Sequence, residues 1–249
     1  MKTGLVLSGG GARGIAHIGV IKAIEELQIK IDAISGVSAG AIFGALYASG
    51  LTVDEMFAVA QHADLFDLMD FRFGKPGLFK ADAIRKTVEK NLKAKTFSEL
   101  KIPLTVAATD FGNAQIAYFT SGSLVDAVVA SSTIPVIFQP EIINGNMYVD
   151  GGLLNNFPVE PLLNSCDVII GVHVNPLNTQ LKDFNLRSAI ERSFHMSIAH
   201  TIKEKSMRCT VFIEPYELHR FHVFDIKHAN EIFEIGYDSG MKELMKIVK

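Results

Sequence analysis

Two consecutive units, each a short apolar strand followed by a tight loop and a helix, begin the chain and limit the folds available to it. The first has a strand over 3–7, a glycine-rich loop, and apolar residues at helical spacing over 15–27. The second has a strand over 31–35 and a helix over 39–48 that stops at Gly50, a residue suited to a left-handed helix cap. Because strands separated by a helix pair in parallel, the sequence predicts an α/β fold.

The rest of the chain continues this pattern and contains no internal repeat or low-complexity linker. Further strands are predicted over 104–109, 115–119, 147–149 and 168–174, and apolar stripes typical of packing helices cover 186–202 and 233–248. We therefore predict one domain over 1–249, with its motifs within 3–175 and a helical C-terminal part at 183–249. The aromatic-rich segment at 65–79 fits neither period, and it is either a mobile flap that touches lipid or ordinary packing under a loop.

Composition excludes several classes of protein. The 249 residues are 48% apolar, enough for a sizeable core, and a net charge of -3 gives no basic surface for nucleic acid. The two cysteines, Cys166 and Cys209, lie far apart and suit a reducing compartment. The N-terminal apolar run is broken at Ser8, before a secretory signal forms, and no run approaches the roughly 18 residues of a membrane span. We expect a cytoplasmic protein, with peripheral contact with a membrane left open.

The loop Gly9-x-Gly11-x-x-Gly14 has the form of an anion-binding turn. The anion is either the phosphate of a dinucleotide or the oxyanion that develops during acyl transfer. A ribose-binding acid is expected at the end of the second strand, but Asp32 lies at its start. A Walker-type phosphate loop is excluded because Gly14 is followed by Ile15 instead of lysine.

A second motif, Gly36-Val37-Ser38-Ala39-Gly40, matches G-x-S-x-G at the junction of the second strand and its helix. In this context the serine occupies a strained turn that exposes its hydroxyl, and the small flanking residues leave room for it. Adjacent parallel strands bring their C-terminal loops side by side, so the glycine loop and Ser38 are expected to form one site. The loop then donates backbone N–H groups to an oxyanion.

A serine hydroxyl needs a base, and the residues leave three candidates open. Asp150 closes an apolar strand and precedes two glycines, which leave its carboxylate accessible, although this is also a common turn pattern. Asp110 ends another predicted strand and competes for the same role. Among the eight histidines, His173 alone lies near the C-terminal end of a predicted strand.

Four motifs together resemble the patatin-like phospholipase family, in particular its small bacterial members related to the catalytic domain of neuropathy target esterase. In the family's order they are GGGARG at 9–14, GVSAG at 36–40, ASSTIP at 130–135 and DGG at 150–152. The resemblance covers most of residues 3–175, and the region after about residue 180 carries no motif that we match.

The resemblance implies a mixed, mostly parallel central sheet sandwiched by helices, with a nucleophile elbow. It implies a Ser–Asp dyad, in which Ser38 is the nucleophile and Asp150 the base, without a catalytic histidine. The residues implied to form or flank the oxyanion hole are Gly10, Gly11, Ala12 and Arg13. The implied substrates are acyl esters of lipids, cleaved without a metal or cofactor, and transient contact with a membrane surface stays open. The oligomeric state is not indicated.

Three alternatives remain open at this point. An α/β-hydrolase with a Ser-His-Asp triad fits poorly, since its elbow follows several earlier strands whereas Ser38 follows only the second. A dinucleotide-binding oxidoreductase would use the loop at 9–14 for phosphate. A non-catalytic lipid-binding regulator would use neither motif for chemistry.

Overall fold

A computed structural model describes residues 1–61, 81–135, 137–177, 196, 201–223 and 225–248 of the protein. The predicted aromatic-rich segment at 65–79 lies outside the described residues, as does most of the apolar stripe predicted at 186–202. In the described part of the chain, no helix has the length and apolar character needed to cross a membrane.

One mixed, mostly parallel sheet of eight strands forms the centre of the described structure. The strands are β1 (Thr3–Leu7), β2 (Ala33–Val37), β3 (Leu104–Asp110), β4 (Gln115–Phe119), β5 (Glu141–Ile143), β6 (Asn146–Asp150), β7 (Val168–Val172) and β8 (Val211–Ile213). They pair in the order β5-β6-β3-β2-β1-β7-β8, and β4 also pairs with β3. The pairs among β3, β2, β1, β7 and β8 are parallel, while β4, β5 and β6 pair antiparallel. Strand β1 is therefore central, and its C-terminal loop lies between those of β2 and β7.

Helices flank the sheet and complete the α/β fold that the sequence predicts. Those within the described ranges are α1 (Ile15–Glu26), α2 (Ala39–Ala48), α3 (Val53–Gln61), α4 (Asp82–Asn91), α5 (Leu124–Ser132) and α6 (Ala229–Leu244). Helices α1 and α2 are almost fully buried, and their side chains build the main core with the central strands. The predicted stop at Gly50 is confirmed by its φ of 94°.

The C-terminal helix α6 packs directly on α1. The two backbones approach so closely that a Cβ added to Gly19 would lie 2.6 Å from the backbone nitrogen of Tyr237, and one added to Gly236 would lie 2.7 Å from Ala16 Cα. Glycines on both helices permit this spacing. We propose on this basis that the chain is one domain over 1–249.

The structure differs from the sequence prediction in the C-terminal part, which is not wholly helical. Residues Val211–Ile213 form β8, which extends the sheet beside β7. Three residues are too short for a period to be recognised, and the same limit applies to β5. Strand β2 also begins two residues later than predicted, at Ala33.

Candidate active site

Ser38 occupies the sharp turn between β2 and α2, as the G-x-S-x-G motif predicts. Its φ of 53° and ψ of -124° lie in a region that non-glycine residues rarely adopt. Side chains at the flanking glycines would collide with backbone, since a Cβ at Gly36 would lie 2.8 Å from the Gly40 carbonyl carbon and one at Gly40 would lie 2.6 Å from Ser8 O. The strained turn therefore requires these two glycines, and it presents the Ser38 side chain at the C-terminal edge of the sheet.

Strand register brings Asp150 next to Ser38. Strand β4 pairs with one edge of β3 along its whole second half, so β2 and β6 must both pair with the other edge. Strand β2 pairs there as far as Val37 opposite Ala107, and β6 takes over with Asp150 opposite Ala108. The first residue after β2 and the last residue of β6 therefore meet. Accordingly, the Ser38 hydroxyl lies close enough to the Asp150 carboxylate for its hydrogen bonding to lower the pKa of that group.

The Asp150 carboxylate is buried, with 6% of the residue exposed. Its Oδ1 accepts a hydrogen bond from the Gly152 backbone N–H at 2.7 Å. Burial disfavours the charged form and raises the pKa of Asp150 to about 6, while the hydrogen bonds from Ser38 and Gly152 act in the opposite direction. The carboxylate is thus a stronger base than an exposed aspartate, and it is still ionised at neutral pH.

The ASSTIP segment holds both members of this pair by their backbones. The Ser131 hydroxyl accepts a hydrogen bond from Ser38 N at 2.8 Å and donates one to Ala107 O at 2.6 Å. The Thr133 carbonyl accepts from Asp150 N at 2.8 Å. The sequence alone indicates no role for this motif, and its role is positional because both contacts fix backbone atoms.

The rival bases have other partners. His173 Nδ1 forms a hydrogen bond with Glu214 Oε1 at 2.7 Å. Its Nε2 has no hydrogen-bond partner among the residues that the structure describes, so it does not contact the Ser38 hydroxyl. Asp110 accepts from the backbone N–H and the side-chain amide of Asn113, and these bonds hold its pKa below the ordinary value. It is a weakly basic carboxylate at the end of β3.

The glycine loop lies against the elbow, as predicted from the sheet. A Cβ on Gly9 would lie 3.2 Å from Ser38 Cβ, and Gly11 has a φ of 56°. Within the described part of the chain, the N–H groups of Gly10 and Gly11 donate no hydrogen bond. The Ala12 N–H, in contrast, donates to Val223 O at 2.7 Å.

The predicted neighbour of this loop, Arg13, is buried and reaches toward the C-terminal part of the chain. Its Nε and Nη2 donate to the Phe221 carbonyl at 2.8 and 2.6 Å. The carbonyls of Phe221 and Val223 thus hold the loop from one side. Sequence reasoning missed these two residues, because contacts made by backbone carbonyls leave no side-chain pattern.

Two asparagines, which sequence reasoning also missed, hold the beginning of the loop. Asn175 Nδ2 donates to Gly9 O at 2.5 Å, and Gly9 N donates to Asn156 O at 3.3 Å. Asn156 follows the DGG motif by four residues in LLNN, and Asn175 follows β7. The sequence signal that could have identified both asparagines is their position in the segments that follow predicted strands.

We expect Gly11→Ala to reduce both turnover and stability. Alanine at this φ is strained, and its Cβ would collide with the Val223 carbonyl oxygen. Gly122→Ala is the matched control, since Gly122 has a φ of 85° and nothing lies within 4 Å of an added Cβ. Thermal unfolding should show a loss of about 1–3 kcal/mol for Gly11→Ala and a smaller loss for Gly122→Ala. Equal losses with unchanged turnover would contradict the tight fit at Gly11.

Asp32, the candidate ribose-binding acid of a dinucleotide site, lies far from the glycine loop. Asp32 precedes β2, and its Oδ2 accepts from Thr3 N at 2.9 Å, at the opposite end of the sheet from the glycine loop. Among the described residues, no group of three or more histidine, cysteine, aspartate or glutamate side chains is arranged to hold a metal ion.

Two structures of low sequence identity share the fold. VipD from Legionella pneumophila superposes with a TM-score of 0.67 at 17% identity, covering 98% of this chain and 67% of that one. ExoU, in its heterodimeric complex with SpcU from the type III secretion system of Pseudomonas aeruginosa, superposes with a TM-score of 0.53 at 19% identity, covering 98% of this chain and 51% of that one.

Sequence relatives identify the family. An uncharacterized NTE family protein of Mycobacterium tuberculosis is 34% identical over 178 residues, which are 70% of this chain and 49% of that protein. Patatin-like phospholipase domain-containing protein 6 of Homo sapiens is 31% identical over 95% of this chain and 20% of its own length. The chain thus spans about half or less of these relatives. The sequence profile described as patatin-like phospholipase matches residues 5–163. The chain therefore belongs to the patatin-like phospholipase family, a family of lipid hydrolases.

Proposed function

We propose that the protein is a serine acyl hydrolase of lipid esters, of the phospholipase A or lysophospholipase type. Ser38 is the nucleophile and Asp150 the base. The observation that carries this proposal is the strand register that brings a serine in a strained elbow next to a buried carboxylate, whose pKa is raised by burial to about 6. Nucleophile and base within hydrogen-bond reach are the signature of covalent catalysis.

The cycle has two halves, and Asp150 moves the proton in each. Ser38 Oγ attacks the ester carbonyl carbon while its proton passes to Asp150, and the carbonyl oxygen becomes an oxyanion. When the tetrahedral intermediate collapses, the C–O bond to the alcohol breaks and Asp150 returns the proton to the leaving oxygen. Water then attacks the acyl-enzyme with Asp150 as base, and the fatty acid and the free Ser38 hydroxyl are released.

The oxyanion hole that we propose uses the loop N–H groups that have no partner in the described structure, those of Gly10 and Gly11. Ala12, the third predicted donor, gives its N–H to Val223 O at 2.7 Å in this arrangement. Arg13 supports the hole from behind, because its guanidinium ties the loop to Phe221 O. No step requires a metal or a cofactor.

Lipid esters lie in membranes, and we propose that the protein reaches them through transient peripheral contact from the cytoplasm. Apolar side chains near Asp150 support this proposal. Leu153 and Leu154 follow the DGG motif directly and are 39% and 49% exposed, and Ile142 and Met147 are paired on the β5–β6 hairpin with 61% and 43% exposed.

We expect the rate to depend on one ionisation near pH 6. Asp150 acts as a base only when ionised, so log kcat/KM should rise with a slope near 1 below about pH 6 and level off above it. A pH–rate profile with a soluble acyl ester measures this. Activity that falls as the pH rises through 6, or that is level down to pH 4, would contradict the assignment of Asp150 as base.

The direct test of the function is release of fatty acid from lysophosphatidylcholine and from phosphatidylcholine vesicles, with EDTA present throughout. Release by wild type and its loss in Ser38→Ala supports the proposal. A thermal-shift titration with NAD⁺ and NADP⁺ tests the dinucleotide alternative, and stabilisation by either without any ester hydrolysis would favour that alternative. Folded wild type that binds vesicles but hydrolyses no ester would indicate a lipid-binding regulator.

A further inference from the structure

Asn156 has a buried side-chain amide whose Nδ2 lacks a hydrogen-bond partner within the described part of the chain. Only 4% of the residue is exposed, and its Nδ2 has no partner among the residues that the structure describes. The preceding Asn155 is almost as buried, yet its Nδ2 donates to Glu160 Oε2 at 2.9 Å and its Oδ1 accepts from Phe157 N at 3.2 Å. A buried amide without a partner destabilises a protein, so its presence at one of these two positions needs a reason.

The Asn156 carboxamide lies beside the nucleophile, across Gly9. A Cβ added to Gly9 would collide with Asn156 Oδ1, would lie 3.5 Å from Asn156 Cγ, and would lie 3.2 Å from Ser38 Cβ. The Asn156 backbone is fixed in this place, because its carbonyl accepts from Gly9 N at 3.3 Å. The carboxamide and the Ser38 side chain therefore flank the same loop residue.

The proposed oxyanion hole has room for another donor. A tetrahedral oxyanion accepts up to three hydrogen bonds, and the N–H groups of Gly10 and Gly11 supply two. The amide of Ala12 is bonded to Val223 O at 2.7 Å and is not available in this arrangement. A neutral side-chain amide next to Ser38 is suited to the third place, since it donates without taking part in proton transfer.

We propose that Asn156 is a catalytic hydrogen-bond donor, whose Nδ2 binds the acyl oxygen of the lipid ester as that oxygen becomes an oxyanion. This inference rests on the proposed hydrolase function. The acyl oxygen supplies the partner that Asn156 Nδ2 lacks among the described residues. The bond strengthens as negative charge develops on that oxygen, so its main effect is on kcat. Asn156 neither gains nor loses a proton in the cycle.

The test compares Asn156→Leu, which keeps the size and removes the amide, with Asn155→Leu as the matched control, using p-nitrophenyl butyrate hydrolysis and thermal unfolding. For Asn156→Leu we expect kcat to fall by about 10²–10³-fold with KM within about threefold, and the melting temperature to stay level or rise. For Asn155→Leu we expect the reverse, a lower melting temperature with kcat within about tenfold, because Glu160 and Phe157 lose partners.

Asn156→Asp gives a second readout that keeps the shape of the side chain. Its carboxylate has no donor and repels the oxyanion, so its kcat should fall at least as far as that of Asn156→Leu. The inference is overturned if either folded variant keeps kcat within about threefold of wild type, or if only KM changes. When wild type hydrolyses the ester and Ser38→Ala does not, such a result overturns the role of Asn156 alone. Absence of hydrolysis by wild type overturns the proposed function and this inference together.

Discussion

Ser38→Ala is expected to lower ester hydrolysis by about 10⁴-fold or more while leaving the fold intact. The substitution removes the atom that forms the acyl-enzyme, and among the described residues no other hydroxyl acts on the pKa of the Asp150 carboxyl group. The Cβ is kept, so the strain at a φ of 53° is unchanged. The free energy of unfolding should change by less than about 1 kcal/mol, as measured by denaturant titration.

Ser49→Ala is the matched control for this variant. Ser49 lies at the other end of α2, is 4% exposed, and donates to Leu46 O at 2.8 Å. Its replacement should cost a little stability and no activity. Hydrolysis by Ser38→Ala within tenfold of wild type, measured on protein free of wild-type contamination, would remove Ser38 from the mechanism.

Asp150→Asn is expected to abolish turnover and at the same time to stabilise the protein at neutral pH. Folding raises the pKa of Asp150 from 3.8 to about 6, so in wild type the charged form is disfavoured in the folded state. The free energy of unfolding of wild type therefore decreases as the pH rises from about 4 through 6. The neutral amide of Asp150→Asn does not ionise, so the variant does not lose this stability. The variant should gain up to about 3 kcal/mol at pH 8 and nothing at pH 3.5.

Asp110→Asn tests whether loss of turnover with a gain in stability at pH 8 follows from neutralising any buried carboxylate near the sheet edge. Hydrogen bonds from Asn113 lower the pKa of Asp110, so its charge favours folding above its unfolded pKa and that stability is lost only as the pH falls. This variant should be less stable than wild type at pH 8 and should retain turnover. Asp150→Asn that is active, or that is destabilised at pH 8, would contradict a buried catalytic base.

Features that depend on residues close together in the chain were predictable from the sequence. Isoleucines at helical spacing predicted α1, and the glycines around Ser38 predicted a strained turn, which the φ of 53° confirms. Both features depend on residues close together in the chain. The proximity of Ser38 and Asp150 was predicted only through family resemblance, because it depends on the register of β2 and β6 along one edge of β3.

Features that depend on distant backbone contacts were not predictable. The carbonyls of Phe221 and Val223 contact the glycine loop more than 200 residues away in sequence, and a carbonyl is the same in every residue. Asn156 was missed for a different reason. Its sequence setting is identical in kind to that of Asn155, and only the structure shows that the Asn155 amide has partners whereas Asn156 Nδ2 has none among the described residues.

Activation of Ser38 by Asp150 is tested most directly by labelling with a fluorophosphonate followed by intact-protein mass measurement. Wild type, Ser38→Ala, Asp150→Asn and Asp110→Asn are compared at pH 8. We expect one adduct on wild type and on Asp110→Asn at similar rates, none on Ser38→Ala, and a strongly slowed reaction of Asp150→Asn. Folded wild type without an adduct, or Asp150→Asn labelled at the wild-type rate, would contradict the activation of Ser38 by Asp150.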